Sequence, residues 1–157
     1  MEQPSLLAEA VAEARRHKYI ESQKAGRDLG GAAIDDWHRR HWTLWLRHRW
    51  LEHLLGTRRW QELEPWRFGR LTTLFAAHIP LLEDVAERVR RGAENIDILC
   101  WAARERRDRQ TVERMLVELR LNEIRCNRQC IAFARLAMDM ETDPLPSRGE
   151  PEPDVPC

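Results

Sequence analysis

The longest run of helical periodicity in the chain spans residues 31–56, where no proline interrupts the pattern. Its apolar residues recur at helical spacing on two faces. One face carries Ile34, Trp37, Leu44, Leu51 and Leu55, and the other carries Trp42, Leu46 and Trp50. Because a helix that is apolar on two sides packs against neighbours on both, the pattern predicts a central helix. Asp28 is suited to be its N-cap, and Gly56 is suited to end it.

Shorter amphipathic segments lie on both sides of this helix. Residues suited to cap helices precede three of them: Ser5, Asn95 and Asp108. A further segment over residues 70–91 contains Pro80, which favours a first-turn position and predicts a kink or a split there. The segment 57–69 is a connection because it contains Pro65 and is bounded by glycines. Its aromatic residues either fold back onto the core or form an exposed aromatic patch: Trp60, Trp66 and Phe68.

These elements predict an all-α protein, a bundle of five or six helices around the central Trp/His/Arg-rich helix. We expect a single domain over residues 1–140, since that length is enough to bury a core. Residues 141–157 differ in composition, with five prolines and a net charge of −4. Such a segment cannot bury enough apolar surface to fold, so we expect a disordered acidic C-terminal tail.

Charge modifies this picture locally. The formal net charge of the chain is zero, so there is no general attraction to nucleic acid or to anionic lipid. Residues 37–70 nevertheless hold eight basic and three acidic residues, a net charge of +5. Together with the tryptophans, this excess predicts a basic, aromatic surface. The arginines expected to be exposed on it are Arg39, Arg40, Arg58, Arg59 and Arg67.

The function we predict first is a non-catalytic helical binding or adaptor module that acts through this surface. Its expected partner is another protein or a second copy of the chain. The phosphate-binding glycine loops and the nucleophile elbow are absent from the sequence. No cofactor is therefore predicted, and an enzyme is the less favoured interpretation.

A second hypothesis concerns residues 111–130. The run TVERMLVELRLNEIRCNRQ resembles the helix-turn-helix of DNA-binding proteins, with apolar residues at the usual offsets: Leu116, Leu119, Leu121 and Cys126. Arg120 occupies the turn position that usually holds glycine. The resemblance implies that the second helix enters the major groove. The residues that would then read bases are Arg125, Asn127, Arg128 and Gln129.

A third hypothesis is a metal site on the central helix. His41, His48 and Glu52 are seven and then four residues apart, so they lie on the same side of that helix. If that side is buried, these groups need partners, since an unpaired buried polar group costs about 1–3 kcal/mol. They either bind a metal or act as acid–base groups, or they bond one another, a backbone carbonyl or a neighbouring arginine.

Location is predicted from what the sequence lacks. No secretory signal is recognisable, and no apolar run approaches the ~18 residues that a membrane span needs. We therefore expect a cytoplasmic protein that does not enter a membrane. The four cysteines are then expected to be free thiols: Cys100, Cys126, Cys130 and Cys157.

Overall fold

The computed structural model describes residues 2–124, and all regular structure in that range is helical. The α-helices are α1 (Leu6–Ala25), α2 (Gly31–Leu55), α3 (Arg70–Leu74), α4 (Ile79–Arg90), α5 (Asn95–Arg104), α6 (Arg109–Leu119) and α7 (Leu121–Ile124). Two 3₁₀ turns lie between α2 and α4: Pro65–Arg67 and Ala76–His78. The predicted all-α fold class is confirmed. The domain boundary at residue 140 and the tail 141–157 lie outside the described residues and stay predictions.

Helix α2 contacts four other helices, α1, α3, α4 and α7. Both predicted apolar faces are largely buried, including Trp37, Trp42, Leu46 and Leu51. The assignment of Leu44 to the buried face was wrong, because its side chain is 41% exposed. Its side chain lines an open cleft between α1 and α2.

The predicted ends of the helices are only partly correct. Ser5 and Asp108 are N-caps as expected, accepting hydrogen bonds from the amides of Ala8 and Thr111. Helix α5, however, is capped by Glu94, and Asn95 is its first residue. Glu94 forms a reciprocal capping box with Asp97, whose carboxylate accepts the Glu94 amide at 2.9 Å. The carboxylates of Glu94 and Asp97 each accept one amide at the start of the helix. A cap by Asn95 alone could satisfy only one of these two amides.

The start of α2 also differs from the prediction. Gly30 is the N-cap at φ 57°, a conformation that costs glycine little. The carboxylate of Asp28 accepts the Gly30 amide at 2.9 Å instead of capping the helix. Asp28 therefore closes the turn before the helix, and the backbone of Gly30 sets the direction in which α2 begins.

The connection 57–69 leaves α2 and returns to it. The amide of Gly69 donates to the carbonyl of His53 at 2.9 Å, and a Cβ on Gly56 would lie 3.1 Å from the Gly69 Cα. Only glycines allow the two ends of the connection to approach so closely. Trp60 is fully buried, as the first interpretation expected, whereas Trp66 and Phe68 remain exposed.

The split predicted at Pro80 is confirmed, since α3 and a 3₁₀ turn precede α4 and Pro80 lies in the first turn of α4. Helices α4, α5 and α6 then follow one another through short connections, and α6 contacts both of the others. In the described part of the chain, no helix is long and apolar enough to cross a membrane.

Candidate binding cleft between α1 and α2

A cleft of about 370 Å³ lies along the seam between α1 and α2. Helix α1 lines it with Glu13, Arg16, His17 and Ile20, and α2 lines it with Trp37, His41, Leu44, Trp45 and His48. Both sets follow helical spacing, so each helix presents one continuous stripe to the cleft. The volume falls within the range of sites that hold a small ligand or a few side chains of a partner.

The floor of the cleft is aromatic and aliphatic. The Trp37 and Trp45 ring centroids are 6.0 Å apart in an edge-to-face arrangement, and Trp45 also stacks on Trp42 at 5.7 Å. Such pairs hold their rings in fixed positions. Ile20 and Leu44 expose apolar surface at the same place. A ligand can therefore reach apolar surface on Ile20, Leu44 and the half-exposed Trp45, while Trp37 is buried.

Asp36 does not line the cleft but bonds His17, which does. Its carboxylate accepts a hydrogen bond from His17 Nε2 at 2.9 Å, and it pairs with Arg39 at 3.1 Å and with Arg40 at 3.3 Å. The hydrogen bond from His17 is the main cause that lowers the pKa of Asp36 below its ordinary value. Asp36 is thus an ionised carboxylate with three donors, and both exposed guanidiniums retain free N–H groups.

The histidines of the cleft have defined surroundings. His41 meets the edge of His17, with ring centroids 5.5 Å apart. Nε2 of His48 lies 2.7 Å from the carbonyl oxygen of Arg90 at the end of α4. Because a carbonyl only accepts, His48 carries its hydrogen on Nε2, which leaves Nδ1 as an acceptor in the neutral ring.

The predicted metal ligands are not brought together as a set. His41 and His48 line the cleft, but Glu52 does not; its carboxylate pairs with Arg49 at 2.8 Å. Within residues 2–124, no three His, Cys, Asp or Glu side chains form a group that could hold a metal ion. The bonds of His48 to a carbonyl and of Glu52 to an arginine match the structural alternative.

The five predicted arginines separate into three places. Arg39 and Arg40 are exposed on the turn of α2 that carries Asp36, and neither lines the cleft. Arg58 pairs with Glu9 of α1, which lies about two turns before His17, or about 12 Å along the helix. Arg59, which follows Arg58, is exposed. The prediction that Arg67 is exposed was wrong, because its side chain is almost fully buried.

The burial of Arg67 has a clear cause. Its guanidinium lies 4.3 Å from the ring centroid of Trp66 and 5.8 Å from that of Trp50, and it pairs with Glu64. Arginine can bury its stem among apolar groups when its charged end has aromatic faces and a carboxylate as partners. Trp66 and Glu64 are neighbours of Arg67 in sequence, but the fold that turns all three onto Trp50 of α2 is not visible in the sequence.

The described residues include only α6, the turn at Arg120 and the first turn of the second helix of the predicted helix-turn-helix. Arg120 ends α6 in the left-handed conformation at φ 50°, and α7 begins at the next residue. The proposed base-reading residues Arg125, Asn127, Arg128 and Gln129 lie outside the described residues, as do three of the cysteines. Of the predicted free thiols, Cys100 is described and is free and exposed. Base reading by this segment stays a prediction.

Sequence reasoning missed His17 and Asp36, the pair that joins α1 to α2 beside the cleft. Arg39 and Arg40, three and four residues after Asp36, were a visible signal of an ion-paired turn. Nothing in the sequence indicated that His17 of α1 meets that turn. Comparisons with protein-family models, curated proteins and solved structures find no match to this chain. The function of the cleft therefore follows from its own chemistry.

Proposed function

We propose that the protein is a non-catalytic helical binding module that captures an acidic segment of a partner protein in the α1–α2 cleft. The observation that carries the proposal is the combination of an accessible aromatic floor with three hydrogen-bond donors gathered around the single carboxylate of Asp36. Tryptophan and arginine are the residues that contribute most at protein interfaces. A cleft built from both is suited to recognise one anchor side chain and the charge beside it.

The charge of the cleft favours an acidic partner. Asp36 is the shared acceptor for His17, Arg39 and Arg40, so the two guanidiniums have donors left over for a carboxylate from outside. Glu13, which does line the cleft, is paired with Arg16 at 3.2 Å. An aspartate or glutamate of the partner would therefore meet Arg40 or Arg39 beside the cleft, while an apolar side chain elsewhere in the same segment would rest on Trp45 and Leu44 in the cleft.

Binding is better supported than acid–base catalysis. A general base needs a pKa near the working pH and a free lone pair directed at the substrate. The pKa of Asp36 is lowered, and its oxygens already accept from three donors. Asp36 is therefore suited to position its neighbours.

The proposal is tested by selecting short random peptides displayed on phage against the purified protein. We expect the selected peptides to be acidic and to contain an aromatic or aliphatic anchor. Their affinity, measured by fluorescence anisotropy, should fall at least tenfold when Arg39→Glu and Arg40→Glu are combined, because loss of a charge-assisted contact costs about 1.5–3 kcal/mol. It should also weaken as salt concentration rises.

The matched control is the Arg58→Glu, Arg59→Glu double variant, which reverses the same number of charges at the other end of α1. It should bind the selected peptides as the wild type does. Circular dichroism would establish that both variants keep their helical content. Selection of basic peptides, or equal affinity for the wild type and the Arg39/Arg40 variant, would refute the proposal.

A further inference from the structure

Three of the six histidines of the chain line the α1–α2 cleft: His17, His41 and His48. Histidine is the side chain whose ordinary charge changes between about pH 5 and pH 8. While the three rings are neutral, the charged side chains that line the cleft are Glu13 and Arg16, which pair with each other at 3.2 Å. Protonation of the histidines therefore converts a lining without net charge into a cationic one.

Two of these histidines can bind a proton without losing a bond of the fold. Nε2 of His17 donates to the carboxylate of Asp36 at 2.9 Å, and Nε2 of His48 donates to the carbonyl oxygen of Arg90 at 2.7 Å. The neutral tautomer and the cation both carry this hydrogen, so only Nδ1 changes, from acceptor to donor. His53 in the core differs, because its Nδ1 already accepts a backbone amide. The cleft histidines can therefore change charge in the folded protein.

The charged groups around the three histidines belong to three helices, and their carboxylates are paired with cations. The pairs are Glu13–Arg16 and Glu21–Lys24 on α1, Asp36 with Arg39 and Arg40 and Glu52–Arg49 on α2, and Glu87 with Arg90 and Arg91 at the end of α4. Carboxylates, guanidiniums and lysine ammoniums ordinarily keep their charge between about pH 6 and pH 8.

A fourth histidine of this region, His38, does not line the cleft. Burial, opposed in part by the charge of Asp35, lowers the pKa of His38 below the ordinary value of histidine. A change in binding between about pH 8 and pH 6 is therefore assigned to the three histidines of the cleft.

We propose that His17, His41 and His48 bind the acidic partner in their protonated form, so that the cleft captures it more tightly as the pH falls. This inference rests on the proposed function, because it concerns the same site and the same acidic segment. A protonated imidazole donates from both nitrogens, and its hydrogen bond to a carboxylate is charge-assisted. Arg39 and Arg40 lie outside the cleft, so the histidines would meet a second acidic residue, next to the apolar anchor.

The contact between His17 and His41 couples proton binding to partner binding. The edge of one ring meets the other, with centroids 5.5 Å apart. Two cationic rings at this distance repel each other, which disfavours protonation of both. A carboxylate of the partner beside the two rings offsets that repulsion. Since linkage is reciprocal, the partner favours protonation of the rings, and protonation of the rings favours the partner.

The experiment measures the affinity of a selected acidic peptide by fluorescence anisotropy at about pH 8 and about pH 6, at constant ionic strength. The peptide is N-acetylated and contains no histidine, so its own charge stays constant. Wild-type affinity should rise about tenfold at the lower pH, because charge-assisted hydrogen bonds are about twice as strong as neutral ones. The His41→Gln, His48→Gln double variant should bind as the wild type does at about pH 8 and show less than about a twofold rise, since glutamine donates but never gains a charge.

His78→Gln is the matched control, because His78 is an exposed histidine outside the cleft. It should keep the wild-type rise, and circular dichroism would establish that all three proteins stay helical at both pH values. Equal wild-type affinity at both pH values would overturn this inference and leave the proposed function standing. A full rise in the double variant, or a rise lost equally in His78→Gln, would also overturn it. Failure to bind acidic peptides at either pH would overturn both proposals.

Discussion

His53 is a buried histidine of helix α2 that bonds two residues of the connection 57–69. Its Nε2 donates to the carbonyl oxygen of Glu64, with 2.9 Å between the atoms, and its Nδ1 accepts the amide of Trp60 at 3.2 Å. Both nitrogens are therefore used, and only the neutral ring satisfies both bonds. Burial is the main cause that lowers the pKa of His53. A neutral imidazole thus attaches the connection 57–69 to helix α2.

This lowered pKa predicts a pH-dependent stability. In the unfolded chain, histidine binds a proton near pH 6.5, whereas His53 in the folded protein does so only at a lower pH. The unfolded state then holds more protons, so the contribution of His53 to the free energy of unfolding is lost as the pH falls below about 6.5. This loss is measured as the fall in the free energy of unfolding in urea from about pH 8 to pH 5.5.

The variant that isolates the effect is His53→Gln, which should be less stable at pH 7 by about 2–3 kcal/mol because two buried groups lose a partner. Its stability should also fall less steeply between pH 7 and pH 5.5 than that of the wild type. His78→Gln, at an exposed histidine, should keep the wild-type slope. Identical slopes for wild type and His53→Gln would contradict this role.

At the scale of the element, the start of α1 depends on a residue far away in the chain. The carboxylate of Glu62 accepts the amides of Leu6 at 2.8 Å and Leu7 at 3.3 Å, and it also accepts the hydroxyl of Ser5. Burial acts to raise the pKa of Glu62, but these hydrogen bonds outweigh it and the pKa is lowered. Sequence identified Ser5 as the cap and missed the second, stronger one, because Glu62 belongs to another segment.

We predict that Glu62→Ala lowers the free energy of unfolding by about 2 kcal/mol at pH 7, since charged hydrogen bonds to helix amides contribute about 1.5–3 kcal/mol. Because the folded-state pKa is below the ordinary value near 4.3, this contribution is complete above that pH. It is lost as the pH falls through the folded pKa. The difference in the free energy of unfolding between Glu62→Ala and the wild type, measured by urea denaturation, should therefore be smaller in acid.

Glu83→Ala is the control for this measurement, because Glu83 is an exposed glutamate of α4. It should change stability by less than about 0.5 kcal/mol at either pH. A Glu62→Ala variant as stable as Glu83→Ala would mean that Ser5 alone caps α1.

For the whole molecule, the decisive feature is how the charge of residues 37–70 is distributed in space. Three arginines of this basic segment pair with carboxylates of other helices or their caps: Arg47 with Glu94, Arg58 with Glu9 and Arg70 with Glu118. The net charge of +5 on residues 37–70 is therefore not gathered on one exposed surface. Much of the arginine excess joins elements together, and only part of it remains at the cleft.

The pair between Arg47 and Glu94 is the most buried of the three, with 2.8 Å between its atoms and the arginine almost fully enclosed. It joins α2 to the start of α5. Arg47→Ala should reduce the free energy of unfolding by about 1.5–3 kcal/mol, the usual contribution of a hydrogen bond to a charged group, because Glu94 remains one-third exposed to water. Arg47→Met should recover part of the loss because its side chain fills the same space.

The free energy of unfolding of both variants, from chemical denaturation, is compared with that of Arg104→Ala. This control truncates an exposed arginine of α5. The exposed substitution should change stability by less than about 0.5 kcal/mol. If Arg47→Ala costs no more than that, Arg47 does not hold the two helices together.

Most of the correct predictions from the sequence depend on interactions between residues close together in the chain. The all-α class, the long helix over residues 31–55, the split at Pro80 and the caps Ser5 and Asp108 depend on residues within a few positions of one another. Periodicity, capping and proline geometry act over that range, so the sequence contains them directly. The alternation of apolar and polar residues was therefore sufficient to predict the helices.

The tertiary structure alone decided which side chains meet. His17 and Asp36 are 19 residues apart, Arg47 and Glu94 are 47 apart, and Ser5 and Glu62 are 57 apart. Such pairs form only after helices pack, and packing decides whether an arginine becomes a rim group like Arg39 or a buried one like Arg67. Helix formation follows from neighbours in sequence, whereas a cleft is a relation between surfaces that only the folded chain brings together.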